Sequence, residues 1–377
     1  MTAPTPLTIL IMAAGTGGHV FPGLAIAALL AKKNWKIVWL GTPEGLENTL
    51  VAEAGYPIER IAFSGVRGKG VMRWILLPLN LLRAFSQCIG VVWRIRPDVV
   101  LGMGGYVTFP GGMMSVLLNR PLVVHEANSV AGLANRVLAA VADRILVGFP
   151  GAFEKPIKNA LPKVIPKPKC VEWTGNPIRA DIAEVPEPDV RFAGRSGVLK
   201  MLVVGGSLGA QGLNRLVVEA LEAMPPERRP EVVHQSGTRL FDELTTLYRE
   251  ARVEAEILPF LNDMAERYAW CDFLVCRAGA STVAEVAAAG VAAVFMPLPY
   301  AVEDEQTHNA QFLASKGAAL LVQQTETTPR QLADLLLSLT RGKLLAIATV
   351  ARTLGKPDAT ARCASVCMEL GGVANAA

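Results

Sequence analysis

Phe273-Leu274-Val275-Cys276-Arg277-Ala278-Gly279-Ala280-Ser281-Thr282-Val283-Ala284-Glu285, running on through alanines to Gly290, decides how the rest of the chain is read. Four apolar residues in a row predict a buried strand, the small residues after Arg277 a tight loop, and the Ala-rich run a helix. Gly279 lets backbone approach a ligand closely, and Ser281 and Thr282 are placed to cap the helix. Unpaired N–H groups at such a helix start, with the positive end of its dipole, suit a phosphate. Glu285 falls about one turn into the helix, where its carboxylate can accept hydrogen bonds from two neighbouring hydroxyls, as a ribose diol offers. An ordinary capped helix with an early acid satisfies the same pattern, so the company it keeps decides.

That company begins upstream. Leu199–Val204 predicts a strand, Gly205-Gly206-Ser207-Leu208-Gly209-Ala210 a glycine loop and Gly212–Ala223 a helix. Further strands are expected at Glu231–His234, Ala255–Leu258 and Ala292–Met296, the last leading into a loop with Glu303, Asp304, Glu305 and Gln306. The first half has the same plan. Leu7–Met12 is a short apolar strand, Ala13–His19 a glycine-rich loop and Val20–Ala31 a helix with Pro22 near its start. Lys36–Leu40 and Asp98–Leu101 are strands, the second followed by Gly102-Met103-Gly104-Gly105-Tyr106, and Pro121–Val124 ends in His125-Glu126-Ala127-Asn128. Strand, glycine loop, helix is how a doubly wound α/β domain opens, with its ligand beyond the carboxyl ends of the strands. The first loop has no Gly-Lys-Ser/Thr, which excludes a Walker motif, and Val20 stands where a dinucleotide fingerprint needs its third glycine. The second strand ends in Gly41-Thr42 rather than the acid that a nicotinamide ribose requires.

His19 closes the first glycine loop at a helix start, a position that disfavours the imidazolium and keeps the ring able to accept a proton. A right-handed parallel sheet gathers the three loops on one edge, so that His19, Glu126 and Asn128 form either an acceptor pocket or a structural hydrogen-bond network. The four histidines, His19, His125, His234 and His308, lack ligand spacing, so no zinc site is expected.

At 377 residues the chain exceeds one ordinary core, and two α/β domains are expected. Hydrophobic residues make up 51% and charged ones 19%, which excludes disorder. A net charge of +4 does not call for nucleic acid but leaves room for a local basic patch. Six cysteines without a Cys-x-x-Cys pair predict reduced thiols. Met1–Pro6 has no basic n-region, so no signal peptide is expected. Val71–Trp93 is interrupted by Arg73, Pro78, Asn80, Arg83, Ser86 and Gln87, too often for the ~20 apolar residues of a span. Its Trp74, Ile75, Leu76, Leu79, Leu82, Phe85 and Trp93, interleaved with Arg67, Lys69, Arg73, Arg83, Arg94 and Arg96, fit both a core helix with a basic face and a helix lying on anionic lipid. Pro156–Pro168 predicts a surface loop or hinge, and Ala180–Gly197 a linker just past the domain boundary.

Gly15-Thr16-Gly17-Gly18-His19-Val20-Phe21-Pro22, Gly102–Tyr106, His125-Glu126 with Asn128, Thr174-Gly175-Asn176-Pro177-Ile178-Arg179, Gly205-Gly206-Ser207, Cys276-Arg277 with Gly279-Ala280, Thr282, Glu285, and Gln306 with Asn309-Ala310 occur in one order along the chain. In these motifs the chain resembles the MurG family, GT-B glycosyltransferases of peptidoglycan synthesis that use UDP-GlcNAc. The resemblance implies two Rossmann-like doubly wound domains facing across a cleft. Residues 1–179 would form an acceptor and membrane-associated domain, 180–354 a UDP-GlcNAc-binding domain, and a helix over 355–377 would pack back on the first. UDP would lie mainly on the second, with Ser207 and Arg179 at the diphosphate and the Leu261 backbone at the uracil. Glu285 would hold the ribose, and Ala280, Ser281, Thr282, Val283 and Ala284 would form the helix start beneath it. Gln306 would meet the GlcNAc hydroxyls, and Thr16, Gly17, Gly18 and Asn128 would reach the donor from the other domain. His19 would be the general base, with Glu126 a supporting candidate.

The resemblance further implies a peripheral enzyme on the cytoplasmic face of the inner membrane. Its partners would be UDP-GlcNAc, undecaprenyl-linked lipid I, the anionic surface and the cell-wall synthesis machinery, with no nucleic acid and no cofactor. No Asp-x-Asp stands in an appropriate loop, so no obligatory cation is expected. The sequence departs from the family at Ala127, Leu208 and Ser281, usually Gln, Gln and Leu. Another UDP-GlcNAc enzyme on this fold, such as a 2-epimerase or a transferase with a different acceptor, and a non-catalytic nucleotide-sugar or lipid-binding module are the rival readings.

Overall fold

The computed structural model describes residues 6–63, 76–154, 168, 170–206, 209–299 and 304–373. Arg67, Lys69, Arg73, Trp74, Ile75, Ser207, Leu208, Glu303 and the Pro-rich stretch 155–167 lie outside the described residues.

The chain divides into two compact units, 1–179 with 357–377, and 180–356. Among the described residues the first holds a seven-stranded sheet: β1 (Thr8–Ala13), β2 (Lys36–Gly41), β3 (Ile58–Arg60), β4 (Val99–Gly104), β5 (Leu122–Glu126), β6 (Arg144–Val147) and β7 (Val171–Trp173). Their order is β3-β2-β1-β4-β5-β6-β7 and every pairing is parallel. Strands covered on both faces need side chains that are apolar throughout, which is why β1 and β4 read as unbroken apolar runs rather than alternating ones. Helices α1 (Gly17–Ala31), α2 (Glu47–Glu53), α3 (Leu77–Ile95), α4 (Thr108–Leu117) and α5 (Leu133–Leu138) join them. The chain reverses direction across the sheet between β1 and β4, so the loops after β1, β4 and β5 leave neighbouring strand ends.

The second unit repeats the plan with β8 (Lys200–Val204), β9 (Glu231–Gln235), β10 (Glu256–Leu258), β11 (Phe273–Cys276), β12 (Ala293–Phe295) and β13 (Leu320–Leu321), in the parallel order β10-β9-β8-β11-β12-β13. Its helices are α6 (Ala180–Ala183), α7 (Pro188–Phe192), α8 (Gln211–Glu222), α9 (Phe241–Glu250), α10 (Met264–Trp270), α11 (Ala280–Ala289), α12 (Glu305–Ala314), α13 (Pro329–Leu337) and α14 (Arg341–Leu354). The last helix, α15 (Ala359–Val373), belongs to the first unit. There it buries Cys363, Ala364, Val366 and Cys367 in the same cluster as Ile26 and Leu30 of α1 and Val99 of β4. Thr360 Oγ1 donates to the Ile178 carbonyl at 2.8 Å and accepts from the Ile178 N–H at 3.1 Å, tying this helix to the end of the first segment.

Three sequence expectations need correction. The stretch 180–197 is not a linker: Ile182 and Phe192 are buried, and two arginines pin it to the second unit. Arg191 donates to the carbonyls of Pro186, Tyr268, Ala289 and Gly290, and Arg195 pairs with the buried Asp272 at 2.6 Å. Asp272 also accepts from Arg341 at 3.0 Å and from the Lys200 N–H at 2.9 Å, so one carboxylate anchors this segment, β8 and α14. Next, α1 starts at Gly17 rather than Val20, because Gly15 turns the chain at φ +95° and Thr16 takes the extended N-cap conformation. Finally, Ser281 and Thr282 do not cap α11: Gly279 is the N-cap and no side chain caps this helix start.

The six cysteines form no disulfide. Burial pushes Cys88, Cys271 and Cys363 up to about 12, so they stay thiols.

Candidate functional site

In the first unit the glycine loop after β1 meets the glycine loop after β4. The Ala14 N–H donates to the Gly104 carbonyl at 3.3 Å, and a Cβ on Gly105 would lie 2.3 Å from the Ala14 oxygen. Gly104, at φ +120°, lies against the His19 ring, where a Cβ would fall 2.6 Å from Cδ2 and 2.7 Å from Nε2. Only glycine permits this approach. His19 sits in the first turn of α1, and its Nδ1 lies 3.3 Å from the Ala14 carbonyl oxygen. A carbonyl only accepts, so Nδ1 carries the proton and Nε2 holds the lone pair of the neutral ring. Among the described residues Nε2 has no hydrogen-bond partner. Loss of water around the half-buried ring pushes its pKa below the ordinary value, opposed by the bond to Ala14. A neutral imidazole with its Nε2 edge unspent can take a proton from a substrate hydroxyl.

The loop after β5 is built differently. Glu126 is buried, and both its oxygens are engaged. Oε1 accepts the Asn128 N–H at 2.8 Å, while Oε2 accepts the Gly132 N–H at 3.1 Å and Asn135 Nδ2 at 2.8 Å. This carboxylate folds the 126–135 loop and presents the half-buried Asn128. His125 is fully buried and donates from Nε2 to the Gly175 carbonyl at 3.1 Å; burial pushes its pKa down to about 4. Asn176 donates to the Ala127 carbonyl at 3.0 Å, which fastens the Gly175-Asn176-Pro177 turn to the same loop and sets the start of the Arg179 segment. Ala127 itself takes part through its backbone, so the absent glutamine side chain leaves this link intact.

In the second unit the loops after β8, β11 and β12 take the equivalent position. Ala280 begins α11 without a side-chain cap, Val283 packs inward, and Ser281, Thr282, Ala284 and Glu285 are half-buried. Glu285 Oε2 accepts from the hydroxyl of buried Tyr268 at 3.1 Å, which orients the carboxylate. Gln306 uses its amide oxygen to hold two loops, accepting the N–H groups of Ala278 at 3.3 Å and Leu298 at 2.9 Å; its NH₂ has no partner among the described residues. Asn309 Nδ2 donates to the Ala278 carbonyl at 3.3 Å from the same side. Arg277 donates to the carbonyls of Met296 and Pro297, and burial lowers its pKa to about 10. Leu261 is buried in the loop after β10.

Behind the Gly205–Ala210 loop lies a buried polar chain. Tyr248 Oη and His234 Nδ1 are 2.8 Å apart, and His234 Nε2 and Asn214 Oδ1 are 3.1 Å apart. Asn214 Nδ2 in turn donates to the Ser236 carbonyl at 3.2 Å. A Cβ on Gly209 would lie 2.6 Å from that carbonyl, so the chain fixes the floor on which the glycine loop rests. A surface hollow of about 730 Å³, lined by Arg229, Glu231, Arg252 and Glu254 among others, lies at the amino-terminal ends of the strands, the opposite sheet edge from these loops.

His19 lies in the first turn of α1, after Thr16, Gly17 and Gly18, against the loop after β4, while Glu126 and Asn128 belong to the loop after β5, the next strand of the same sheet. Leu261, Ala280–Glu285 and Gln306 lie on the loops of the other, and Arg179 is the last residue of the first segment. Ser207 is outside the described residues. Among the described residues no group of three His, Cys, Asp or Glu side chains is placed to hold a metal. Sequence reasoning missed Tyr268, Asn135 and the His234 chain. Tyr268 precedes its partner by 17 residues in an unremarkable helix, while the Glu-x₈-Asn spacing of Glu126 and Asn135 is a loop-dependent signal.

Residues 9–147 match the glycosyltransferase family 28 N-terminal domain, and residues 200–362 the glycosyltransferase family 28 C-terminal domain. The chain is 55% identical over 371 residues, 98% of each chain, to the UDP-N-acetylglucosamine–N-acetylmuramyl-(pentapeptide) pyrophosphoryl-undecaprenol N-acetylglucosamine transferase of Ralstonia nicotianae. The crystal structure of Acinetobacter baumannii MurG is similar with a TM-score of 0.81 at 39% identity, covering 97% of this chain and 100% of that one. A UDP-N-acetylglucosamine 2-epimerase structure matches at TM-score 0.62 and 16% identity over 98% of both chains, a likeness of fold alone.

Proposed function

The chain belongs to glycosyltransferase family 28, among the pyrophosphoryl-undecaprenol N-acetylglucosamine transferases, and we propose that it moves GlcNAc from UDP-GlcNAc to the muramyl 4-hydroxyl of lipid I, giving lipid II. The reaction is a single displacement at the anomeric carbon with inversion from α to β. Positive charge develops on the sugar and negative charge on the departing diphosphate, so catalysis requires a positioned nucleophile and a stabilised leaving group.

The observation that carries this reading is the 3.3 Å approach of His19 Nδ1 to the Ala14 carbonyl, which sets the tautomer of the ring. Its Nδ1–H is committed to Ala14, which leaves the Nε2 lone pair to take the proton of the attacking hydroxyl. Glu126 has both oxygens committed to its own loop, which supports a role in placing Asn128 rather than in taking the proton. On the donor side, Glu285 holds the ribose diol with Tyr268 orienting it. The uncapped start of α11, Arg179 and Ser207 take the diphosphate, the Leu261 backbone meets the uracil, and the Gln306 NH₂ donates to a GlcNAc hydroxyl.

A lipid-linked acceptor needs an enzyme at a membrane surface. No helix of the described residues is long and apolar enough to cross a membrane. One face of α3, however, leaves Leu79, Leu82 and Trp93 65%, 65% and 67% exposed, beside Arg83 and Arg94, with Leu117 of the adjoining α4 67% exposed. Exposed apolar side chains beside Arg83, and beside Arg94 in its 2.7 Å ion pair with Glu59, support peripheral docking on an anionic leaflet.

The test is transfer of labelled GlcNAc from UDP-GlcNAc to a lipid I analogue in detergent, read by mass spectrometry and by the linkage formed. A β-linked disaccharide product is expected. Consumption of UDP-GlcNAc in the absence of acceptor points instead to an epimerase, and UDP binding without transfer to another acceptor or to a binding module; either overturns the proposal.

A further inference from the structure

Glu47 opens α2, immediately beyond the loop that ends β2, and its side chain is fully buried. Oε1 accepts the Thr42 N–H at 2.8 Å and the Thr42 hydroxyl at 2.7 Å, and Oε2 accepts the Gly15 N–H at 3.1 Å. No lysine or arginine among the described residues pairs with it. Space is cleared for the carboxylate by glycines: a Cβ on Gly45 would lie about 2 Å from its oxygens, at 1.9 and 2.1 Å, and one on Gly41 would lie 2.7 Å from Cγ. A buried carboxylate without a cation is costly unless donors replace water. Here one of its three donors belongs to the glycine loop of the proposed acceptor site.

That donor has a second end. The Gly15 N–H and the Ala14 carbonyl are the two ends of one peptide group, and the Ala14 oxygen is the partner of His19 Nδ1. A carboxylate on the N–H polarises a peptide and makes its carbonyl a stronger acceptor. We propose that Glu47 is a positioning residue for His19, acting through the Ala14–Gly15 peptide. The carboxylate fixes the plane of that peptide and strengthens its oxygen, which holds Nδ1–H and turns Nε2 toward the acceptor hydroxyl. The arrangement does through a peptide what an acid does directly in hydrolytic triads, where it sets the tautomer and supports the imidazolium without taking a proton. It rests on the reading of His19 as the base.

The groups that face His19 are uncharged Ala14 and Gly104, with His125 of β5 as its electrostatic neighbour. The bond to Ala14 already opposes the lowering of the His19 pKa by burial, so a weaker carbonyl removes part of that support.

The experiment is ¹⁵N-histidine NMR of the full chain, combined with kinetics, for wild type, Glu47→Gln and Thr42→Val. Wild-type His19 is expected as the Nδ1–H tautomer at neutral pH. In Glu47→Gln its pKa falls, the acid limb of kcat/KM moves down in pH with it, and kcat drops about 10- to 100-fold, as for other outer partners that set a ring's tautomer. UDP affinity stays unchanged. Thr42→Val withdraws a donor from Oε1 and concentrates the charge on Gly15, so the His19 pKa rises; this opposite shift is readable even where Glu47→Gln fails to fold. An Nε2–H tautomer in wild type, or a His19 titration unmoved in Thr42→Val or in folded Glu47→Gln, overturns the proposal. A shifted titration with full activity in His19→Ala would retain the coupling and remove the base.

Discussion

His19 is the residue on which the proposed chemistry turns, and its substitution separates chemistry from binding. His19→Ala is expected to lower kcat about 10²- to 10⁴-fold while the donor KM changes little; steady-state kinetics with the donor varied checks this, and an unchanged kcat refutes the assignment. The other buried histidines have a different role. Burial pushes His125 down to about 4 and His234 to about 3, so both are neutral when folded, whereas each has an ordinary pKa near 6.5 when unfolded. Their contribution to stability is therefore complete above about pH 6.5 and is lost as pH falls toward the folded values. Each costs about 1.4 kcal/mol per pH unit in that window. Urea unfolding at pH 7 and pH 5 should show the loss, and His234→Gln should make the dependence shallower; an unaltered slope refutes it. Such buried networks are where reading from sequence stops. His234 was visible as one of four histidines, but its partners Asn214 and Tyr248 lie 20 and 14 residues away and meet it only in the folded sheet. Glu47 was hidden for the same reason, since its role depends on a loop 32 residues earlier.

At the scale of elements, apolar runs and glycines made the strands and their loops legible, because strands buried on both faces leave an unbroken apolar signature. Helix starts were less so. Whether Gly17 joins α1, or Thr282 caps α11, depends on backbone angles that glycine leaves open. The segment 180–197 looked like a linker because its anchors are two arginines that bind carbonyls and a buried aspartate, side chains that composition counts as surface. Two expectations belong to single helices. In α11, Glu285→Ala should weaken UDP about 10-fold or more, and Tyr268→Phe, which frees the carboxylate without removing it, by a smaller factor of about 2 to 10. Calorimetry with UDP checks both, and unaltered affinity in Glu285→Ala removes the ribose role. In α3, the Leu82→Glu, Trp93→Glu pair should abolish sedimentation with anionic vesicles while UDP affinity persists. Undiminished vesicle binding would assign that exposed face elsewhere.

For the whole molecule, the proposed function assigns different roles to two sheets of the same design, and ligand binding should reveal the division. UDP at 100 times its Kd stabilises whatever it binds by about 2.7 kcal/mol. Hydrogen exchange is expected to slow roughly 100-fold for core amides of β8, β9 and β11 and far less for those of β1, β4 and β5; equal protection of both sheets would refute a UDP site carried mainly by 180–356. The units differ in one further respect. The second is a single run of chain, while the first is closed by α15, which supplies Cys363, Ala364, Val366 and Cys367 to its core. On the ribosome the second unit therefore has all its residues in hand before the first does. The nascent first sheet must wait, with the side of α1 and β4 that α15 will cover still bare, for the ~10–40 s that translation of 180–356 takes at 5–20 residues per second. That interval is when a chaperone has its best opportunity to occupy the helix's place.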